Sequence, residues 1–157
     1  MTRTALRGAF LALTVLSIAG CAGPKKVEPP KVVATIEAAP DVNPDPSGRP
    51  SPVMIQLYEL KSAGRFNGAD FFSLFERASA TLGQDLQQKD EVLLAPGERR
   101  TVNLQFREGS HHLGVIAGYR SFETARWRAV VDTPVDTVTR VLIRVDRAAV
   151  TLSPSGR

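Results

Sequence analysis

The chain has 157 residues, of which 43% are hydrophobic, and it carries 20 basic and 16 acidic residues. This length fits one domain with short extensions, and the hydrophobic content suffices for a core. A predicted N-terminal leader contains Arg3 and Arg7 but no acidic residue, so its removal lowers the net charge from +4 to +2. So small a charge, without a long basic run, argues against a nucleic-acid partner.

The first 20 residues have the layout of a secretory signal peptide. Arg3 and Arg7 form a basic start, and the apolar segment AFLALTVLSI follows at 9–18. This segment is too short to cross a bilayer comfortably, so a membrane-spanning helix is not expected. We therefore predict that residues 1–20 direct export and are then removed.

Cys21 is the only cysteine, so it has no intramolecular disulfide partner. The run Ile18-Ala19-Gly20-Cys21 resembles the bacterial lipobox, whose cysteine is acylated and becomes the mature N-terminus. This resemblance implies cleavage between Gly20 and Cys21 and lipidation of Cys21. The alternative is an ordinary signal peptide that ends near a free cysteine. The next residue is Ala22, which by resemblance to known lipoproteins favours transport to the outer membrane.

We predict that residues 21–31 form the acylated N-terminus and a flexible tether. The tether prediction rests on the segment AGPKKVEPPK at 22–31, which is rich in Pro and Lys. Fully extended, such a tether reaches at most about 35 Å. We predict that the folded domain comprises residues 32–157.

Period-two alternation of apolar and polar residues dominates this domain. It predicts seven short strands near 32–36, 53–57, 102–106, 113–119, 127–131, 141–145 and 148–152. Half-buried strands joined by turn signals are typical of an all-β sandwich.

One segment has helical spacing instead. In ADFFSLFERASATLGQDL the apolar residues recur every three to four positions, with Asp70 as a candidate N-cap and Gly83 as a candidate C-terminal residue. Asp85 to Asp90 is compatible with a further short helical turn. We predict a helical insertion near 69–90 that covers an open end of the sandwich, with a binding role for its outer face as the alternative.

The stretch DVNPDPSGRPSP at 41–52 separates the first two predicted strands. Its four prolines lack N–H donors and fix φ, so it cannot join a central ladder. A stiff loop loses little entropy when a partner binds it. Composition leaves two interpretations open, a connecting turn or a binding loop. In the second, the polar side chains of Asn43, Asp45 and Arg49 supply specificity.

Patterns of catalysis or metal binding are weak. His111 and His112 would point to opposite faces of a strand, so they do not readily share a metal. GxSxG, HExxH and phosphate-binding glycine motifs are absent from the sequence. Gly114 and Gly118 are expected to permit close backbone packing or a bulge. We predict a protein that is not an enzyme and uses no cofactor, metal or small-molecule substrate.

Trp127 is the sole tryptophan and lies between two arginines. The alternation predicts a core ring, with Arg126 and Arg128 on the opposite face in solvent. A cation–π pair or a contact with a partner is the alternative.

Several ordered motifs, taken together with the lipobox, resemble the TssJ (VasD/SciN-like) family of outer-membrane lipoproteins of type VI secretion systems. The motifs are NPDPSGRPSPVMIQLYEL (43–60), FNGADFF (66–72), LGQDL (82–86), PGE (96–98) and LGVIAGYRSFETARWR (113–128). They extend over almost the whole predicted mature chain.

The resemblance implies a transthyretin-like β-sandwich of about seven to eight strands with a short helical insertion. It also implies an outer-membrane lipoprotein that faces the periplasm and docks onto the periplasmic domain of a TssM/IcmF-like inner-membrane protein, with a TssL-like protein in the same complex. In the family, the loop between the first two strands is implicated in partner binding. On this chain, the corresponding residues are Asp41, Asn43, Pro44, Asp45, Pro46, Ser47, Gly48 and Arg49.

Two other functions stay open at this point. One is a periplasmic chaperone or pilotin-like lipoprotein that binds an extended client segment by strand addition. The other is an enzyme on a transthyretin-like fold that uses His111 or His112.

Overall fold

The computed structural model describes residues 31–134 and 137–155. The predicted leader, Gly20, Cys21 and the tether before Lys31 lie outside these residues. The strands are β1 (Lys31–Ala38), β2 (Val53–Leu60), β3 (Leu86–Leu94), β4 (Arg99–Gln105), β5 (His112–Ala117), β6 (Arg128–Asp132), β7 (Val138–Val145) and β8 (Val150–Pro154). The helices are α1 (Gly64–Gly68), α2 (Phe71–Phe75) and α3 (Ala78–Leu82), followed by a 3-10 turn at Gly83–Asp85.

The strands form two four-stranded sheets that pack face to face. The first sheet has the order β4-β1-β7-β8 and the second β3-β2-β5-β6. Among the eight described strands, β1 and β7 are the one pair of neighbours in parallel, and the other neighbours are antiparallel. Alternate residues such as Val32, Ile36, Ile55 and Val115 are fully buried between the sheets. The predicted all-β sandwich is confirmed.

Strand β3 was missed by the prediction, and the helical turn expected at Asp85–Asp90 is wrong beyond Asp85. Leu86–Leu94 lies at the edge of the second sheet and pairs only with β2. Its polar run QQKDE faces solvent or is half-buried, and only Val92 and Leu94 are buried. An edge strand needs few apolar side chains, so its alternation is too short to recognise.

The helical insertion covers the outer face of the second sheet, so the expectation that it closes an open end is wrong. Phe66 from α1 and Leu74 from α2 are fully buried against Tyr58 and Ile116 of that face. The Tyr58 hydroxyl lies 3.0 Å from the Leu74 carbonyl oxygen. The central strands β2 and β5 of the second sheet are therefore covered on both sides and carry apolar residues on both faces.

The two residues predicted to bound the helical segment do lie at helix ends. The Asp70 carboxylate accepts a hydrogen bond of 2.9 Å from the Ser73 N–H, as an N-cap does. Gly83 ends α3 with φ +55°, a conformation that favours glycine.

Gly114 and Gly118 make room for aromatic rings of the insertion, whereas the prediction was backbone packing or a bulge. A Cβ atom on Gly114 would lie 2.8 Å from Cζ of Phe66, and one on Gly118 would lie 3.0 Å from the Phe75 ring. Both glycines therefore let short helices approach the sheet closely.

The expectation that Arg128 points into solvent, away from Trp127, is wrong. Its guanidinium carbon lies 4.8 Å from the centroid of the Trp127 ring. Its Nη1 donates hydrogen bonds of 2.8 Å and 2.9 Å to the carbonyls of Phe66 and Ala69 at the end of α1. Carbonyls at a helix C-terminus lack intrahelical partners, so Arg128 fastens α1 to the sheet. Partial burial lowers the pKa of Arg128.

Candidate partner-binding surface

The β3–β4 turn (residues 95–98) lies at one end of the sandwich, and three further connections meet there. They are the β1–β2 loop (residues 39–52), the β5–β6 loop (118–127) and the β7–β8 turn (146–149). Parallel pairing of β1 and β7 brings the ends of these strands together, and the Ala39 N–H donates to the Val145 carbonyl at 2.9 Å.

Asn43 connects the three segments. Its Nδ2 donates to the Pro52 carbonyl and its Oδ1 accepts from the Arg120 N–H, both at 2.8 Å. Its backbone N–H donates to the Arg147 carbonyl at 3.2 Å. Its φ is +48°, and only 4% of the residue is exposed. The base of the β1–β2 loop is therefore fixed to both neighbouring connections.

Asp45 organises the tip of the loop. Its Oδ1 accepts from the backbone N–H groups of Ser47 and Arg49 at 2.9 Å and 3.0 Å. Its Oδ2 lies 2.8 Å from a guanidinium nitrogen of Arg49. The Gly48 N–H donates to the Asp45 carbonyl at 2.8 Å, and Gly48 has φ +80°. The tip is a closed turn, in keeping with its Asx and glycine chemistry.

The residues predicted for partner binding differ in exposure. Residues 46–50, which we call the tip, are all exposed, and 80% of the Arg49 side chain is accessible. Asn43 is buried and fastens the base of the loop, whereas Asp45 is turned toward its own loop and shapes the tip. Asp41 is exposed and pairs with Arg147 at 3.7 Å.

A depression of about 210 Å³ lies beside the base of this loop. All three connections contribute residues to its walls, and the predicted binding residue Pro44 is one of these wall residues. The lining residues are Asn43, Pro44, Tyr119, Ser121, Thr124, Ala125, Arg147 and Ala148. The exposed tip and this depression form one continuous end of the molecule.

The two histidines lie near the other end of β5. His111 precedes the strand and is exposed, whereas His112 Nδ1 lies 2.8 Å from the Asp132 carboxylate. Within residues 31–134 and 137–155, no three His, Cys, Asp or Glu side chains are grouped so that they could hold a metal ion. None of the helices in those ranges has the length and apolar character needed to cross a membrane.

Acid is expected to loosen the tip through Asp45. Hydrogen bonding by the Arg49 backbone N–H, with further bonds from the Arg49 side chain and Ser47, lowers the Asp45 pKa below its usual 3.8. A lowered pKa means that the charged form supports the folded loop above pH 3.8, and that this support is lost as pH falls through the lowered value. The Arg49 amide resonance should titrate with a midpoint below 3.8. This transition should be absent in Asp45→Asn, and a midpoint at or above 3.8 in the unaltered protein would contradict the assignment.

The geometry defines a β-sandwich with a helical insertion on one sheet and an ordered, exposed loop at one end. The family model for type VI secretion lipoproteins (VasD, EvfM, TssJ, VC_A0113) matches residues 30–148. The chain therefore belongs to the type VI secretion lipoprotein family. Among curated proteins, none matches the chain.

Solved structures agree with this membership. The T6SS lipoprotein TssJ1 from Pseudomonas aeruginosa is 37% identical, with a TM-score of 0.79 over 82% of this chain and 98% of that one. Serratia marcescens Lip, a membrane-bound component of the type VI secretion system, is 25% identical, with a TM-score of 0.74 over 82% of this chain and 99% of that one. The predicted fold class is thus confirmed by two relatives.

A further match is a chain from a structure described as the T6SS protein TssM C-terminal domain from EAEC. It is 26% identical, with a TM-score of 0.66 over 80% of this chain and 98% of that one.

Proposed function

We propose that this protein is an outer-membrane lipoprotein that docks onto the periplasmic domain of a TssM/IcmF-like inner-membrane protein, in a complex that also holds a TssL-like protein. Cys21 carries the lipid, and the β1–β2 loop makes the contact. The observation that carries the proposal is a pre-ordered, exposed loop in a member of the type VI secretion lipoprotein family.

The order of the loop supports a docking role. Ordering a flexible segment on binding costs free energy, and a loop that is already closed by hydrogen bonds avoids most of that cost. The tip offers the exposed Arg49 side chain beside Ser47 and two prolines. Arginine is enriched at protein interfaces, and prolines keep the tip stiff.

The similar proteins support the proposed location in a membrane-associated type VI secretion complex. Serratia Lip is described as membrane bound, and another similar chain, 26% identical with a TM-score of 0.70, comes from a structure described as a type VI membrane complex. Binding and attachment would suffice for such a role, so we propose no bond chemistry for this protein.

The chaperone or pilotin-like alternative is less well supported at the β3 edge of the second sheet. Strand addition needs an accessible edge without charges that obstruct pairing. The β3 edge carries Lys89, Asp90 and Glu91 in its middle, and Lys89 pairs with Glu91 at 2.8 Å.

Titration of the purified protein with the periplasmic domain of the TssM-like protein distinguishes docking from the chaperone or pilotin-like alternative. Saturable binding of that folded domain supports docking, whereas binding of extended peptides alone would support the alternative.

Cys21→Ser should release the protein from the membrane without unfolding it. Each buried CH₂ group of an acyl chain contributes about 0.8 kcal/mol to membrane binding, so loss of the acylation site removes the anchor. Fractionation of cell envelopes should move the protein from the membrane to the soluble periplasmic fraction. Ala22→Ser is a matched control that keeps the cysteine. A Cys21→Ser protein that stays fully membrane-bound would refute the anchor.

A further inference from the structure

We infer that Asn43 is a positioning residue for the docking loop: it holds the tip in its binding conformation and does not itself touch the partner. This inference rests on the docking function proposed above. It changes the role of a residue that composition alone would place among the contacts.

Asn43 has an unusual backbone conformation. It is the only non-glycine residue with positive φ within the described ranges 31–134 and 137–155. Asparagine tolerates this left-handed conformation better than most side chains do. The conformation turns the chain just before the tip, so it decides the direction in which the tip leaves the sandwich.

The side-chain hydrogen bonds of Asn43 join distant parts of the chain. One side-chain atom holds Pro52, at the far end of the same loop, and the other holds Arg120, 77 residues away in the β5–β6 loop. The neighbouring residue Val42 is fully buried, and its carbonyl accepts from the Ser51 N–H at 3.1 Å. These bonds close the base of the loop and fix it to the body of the domain.

The bonds made by Asp45 act differently. They connect Asp45 only to Ser47, Gly48 and Arg49, within the tip. They shape the tip but do not attach it to the sandwich. Among the polar side chains of residues 41–50, only that of Asn43 makes a hydrogen bond to another connection, at 2.8 Å. Asp41 instead forms an exposed ion pair with Arg147 of the β7–β8 turn, at 3.7 Å.

The test uses Asn43→Gly in the full-length protein extracted from membranes in detergent. Glycine adopts φ +48° without strain, so this change removes the side-chain hydrogen bonds and leaves the backbone conformation accessible. Three quantities are measured: amide hydrogen exchange at Gly48 and Ser51, the unfolding temperature, and the affinity for the periplasmic domain of the TssM-like protein. Ser47→Ala, at an exposed position of the same loop, is the matched control for hydrogen exchange only, since Ser47 belongs to the proposed contact.

We expect faster exchange at Ser51 and a loss of affinity of about tenfold in Asn43→Gly, chiefly through slower association, because the free loop then samples other conformations. Ser47→Ala should leave the exchange unchanged. Unchanged exchange in Asn43→Gly overturns the positioning role, as does faster exchange with unchanged affinity. A fall in affinity that only follows a lower unfolding temperature, with normal exchange in the loop, also overturns it.

A second variant separates this inference from the docking proposal. Ser47→Trp with Arg49→Ala blocks the exposed tip and leaves Asn43 and its bonds in place. If this tip variant loses affinity and Asn43→Gly does not, the positioning role fails and docking stands. If the tip variant binds normally, docking by this loop fails.

Discussion

Phe66→Ala is expected to lower the free energy of unfolding by about 3–5 kcal/mol, the usual cost of truncating a buried aromatic side chain. The Phe66 ring is fully buried, and its centroid lies 5.3 Å from that of Tyr58. Its removal leaves a cavity between α1 and the outer face of the second sheet. Urea denaturation measures the change.

Phe72→Ala is the matched control for this prediction, since Phe72 lies on α2 of the same insertion but is 46% exposed. Its truncation should cost much less. Equal effects at the two positions would mean that the insertion does not pack on the sheet as described.

Gly114→Ala is expected to cost about 1–3 kcal/mol through overpacking. The added methyl group would lie 2.8 Å from Cζ of Phe66 and 3.0 Å from Cδ1 of Leu60. Gly68→Ala is the control, because nothing lies within 4 Å of its added Cβ and its φ is not positive. Urea denaturation should show little loss for the control.

The effects of Phe66→Ala and Gly114→Ala on the free energy of unfolding should not be additive, since the two residues are in contact. Phe66→Ala removes the ring that a Cβ on Gly114 would strike, so Gly114→Ala should cost less in that background. An equal cost in both backgrounds would contradict the contact.

The seven strands with clear alternation were predictable from local sequence. β1 illustrates this, because Val32, Ala34 and Ile36 face the core while the residues between them are half-buried. β3 was not predictable, since this edge strand buries side chains only near its C-terminal end and so presents too few apolar residues for an alternating pattern. The strand pairing, including the parallel β1–β7 pair, depends on contacts between distant segments.

The helical periodicity of the insertion was recognisable in the sequence, but the surface that the insertion covers could not be predicted from it. An apolar helix face fits an open end or a sheet face equally well. Gly114 lies on β5 and Gly118 directly follows it. These glycines were the available sign of the covered face, because a glycine in a strand often marks the close approach of another part of the chain. The approaching groups are rings from 40 or more residues earlier in the chain.

The β1–β2 loop was recognisable from its prolines, whereas the roles of its polar residues were not. Asn43, Asp45 and Arg49 look alike in composition. They differ because Asn43 has a partner 77 residues away, Asp45 binds its own turn, and Arg49 reaches solvent. Such differences arise from tertiary hydrogen bonds, which no local pattern reports.

The most direct test of docking through the β1–β2 loop is calorimetric titration of the tip variant Ser47→Trp/Arg49→Ala with the periplasmic domain of the TssM-like protein. Lys61→Ala/Ser62→Trp carries the same kinds of change at an exposed turn after β2, away from the loop cluster, and serves as the control. We predict a loss of affinity of about 30-fold or more for the tip variant, the range of an interface hot spot, with an unchanged unfolding temperature and normal binding by the control. Unchanged affinity in a normally folded tip variant would contradict the proposal.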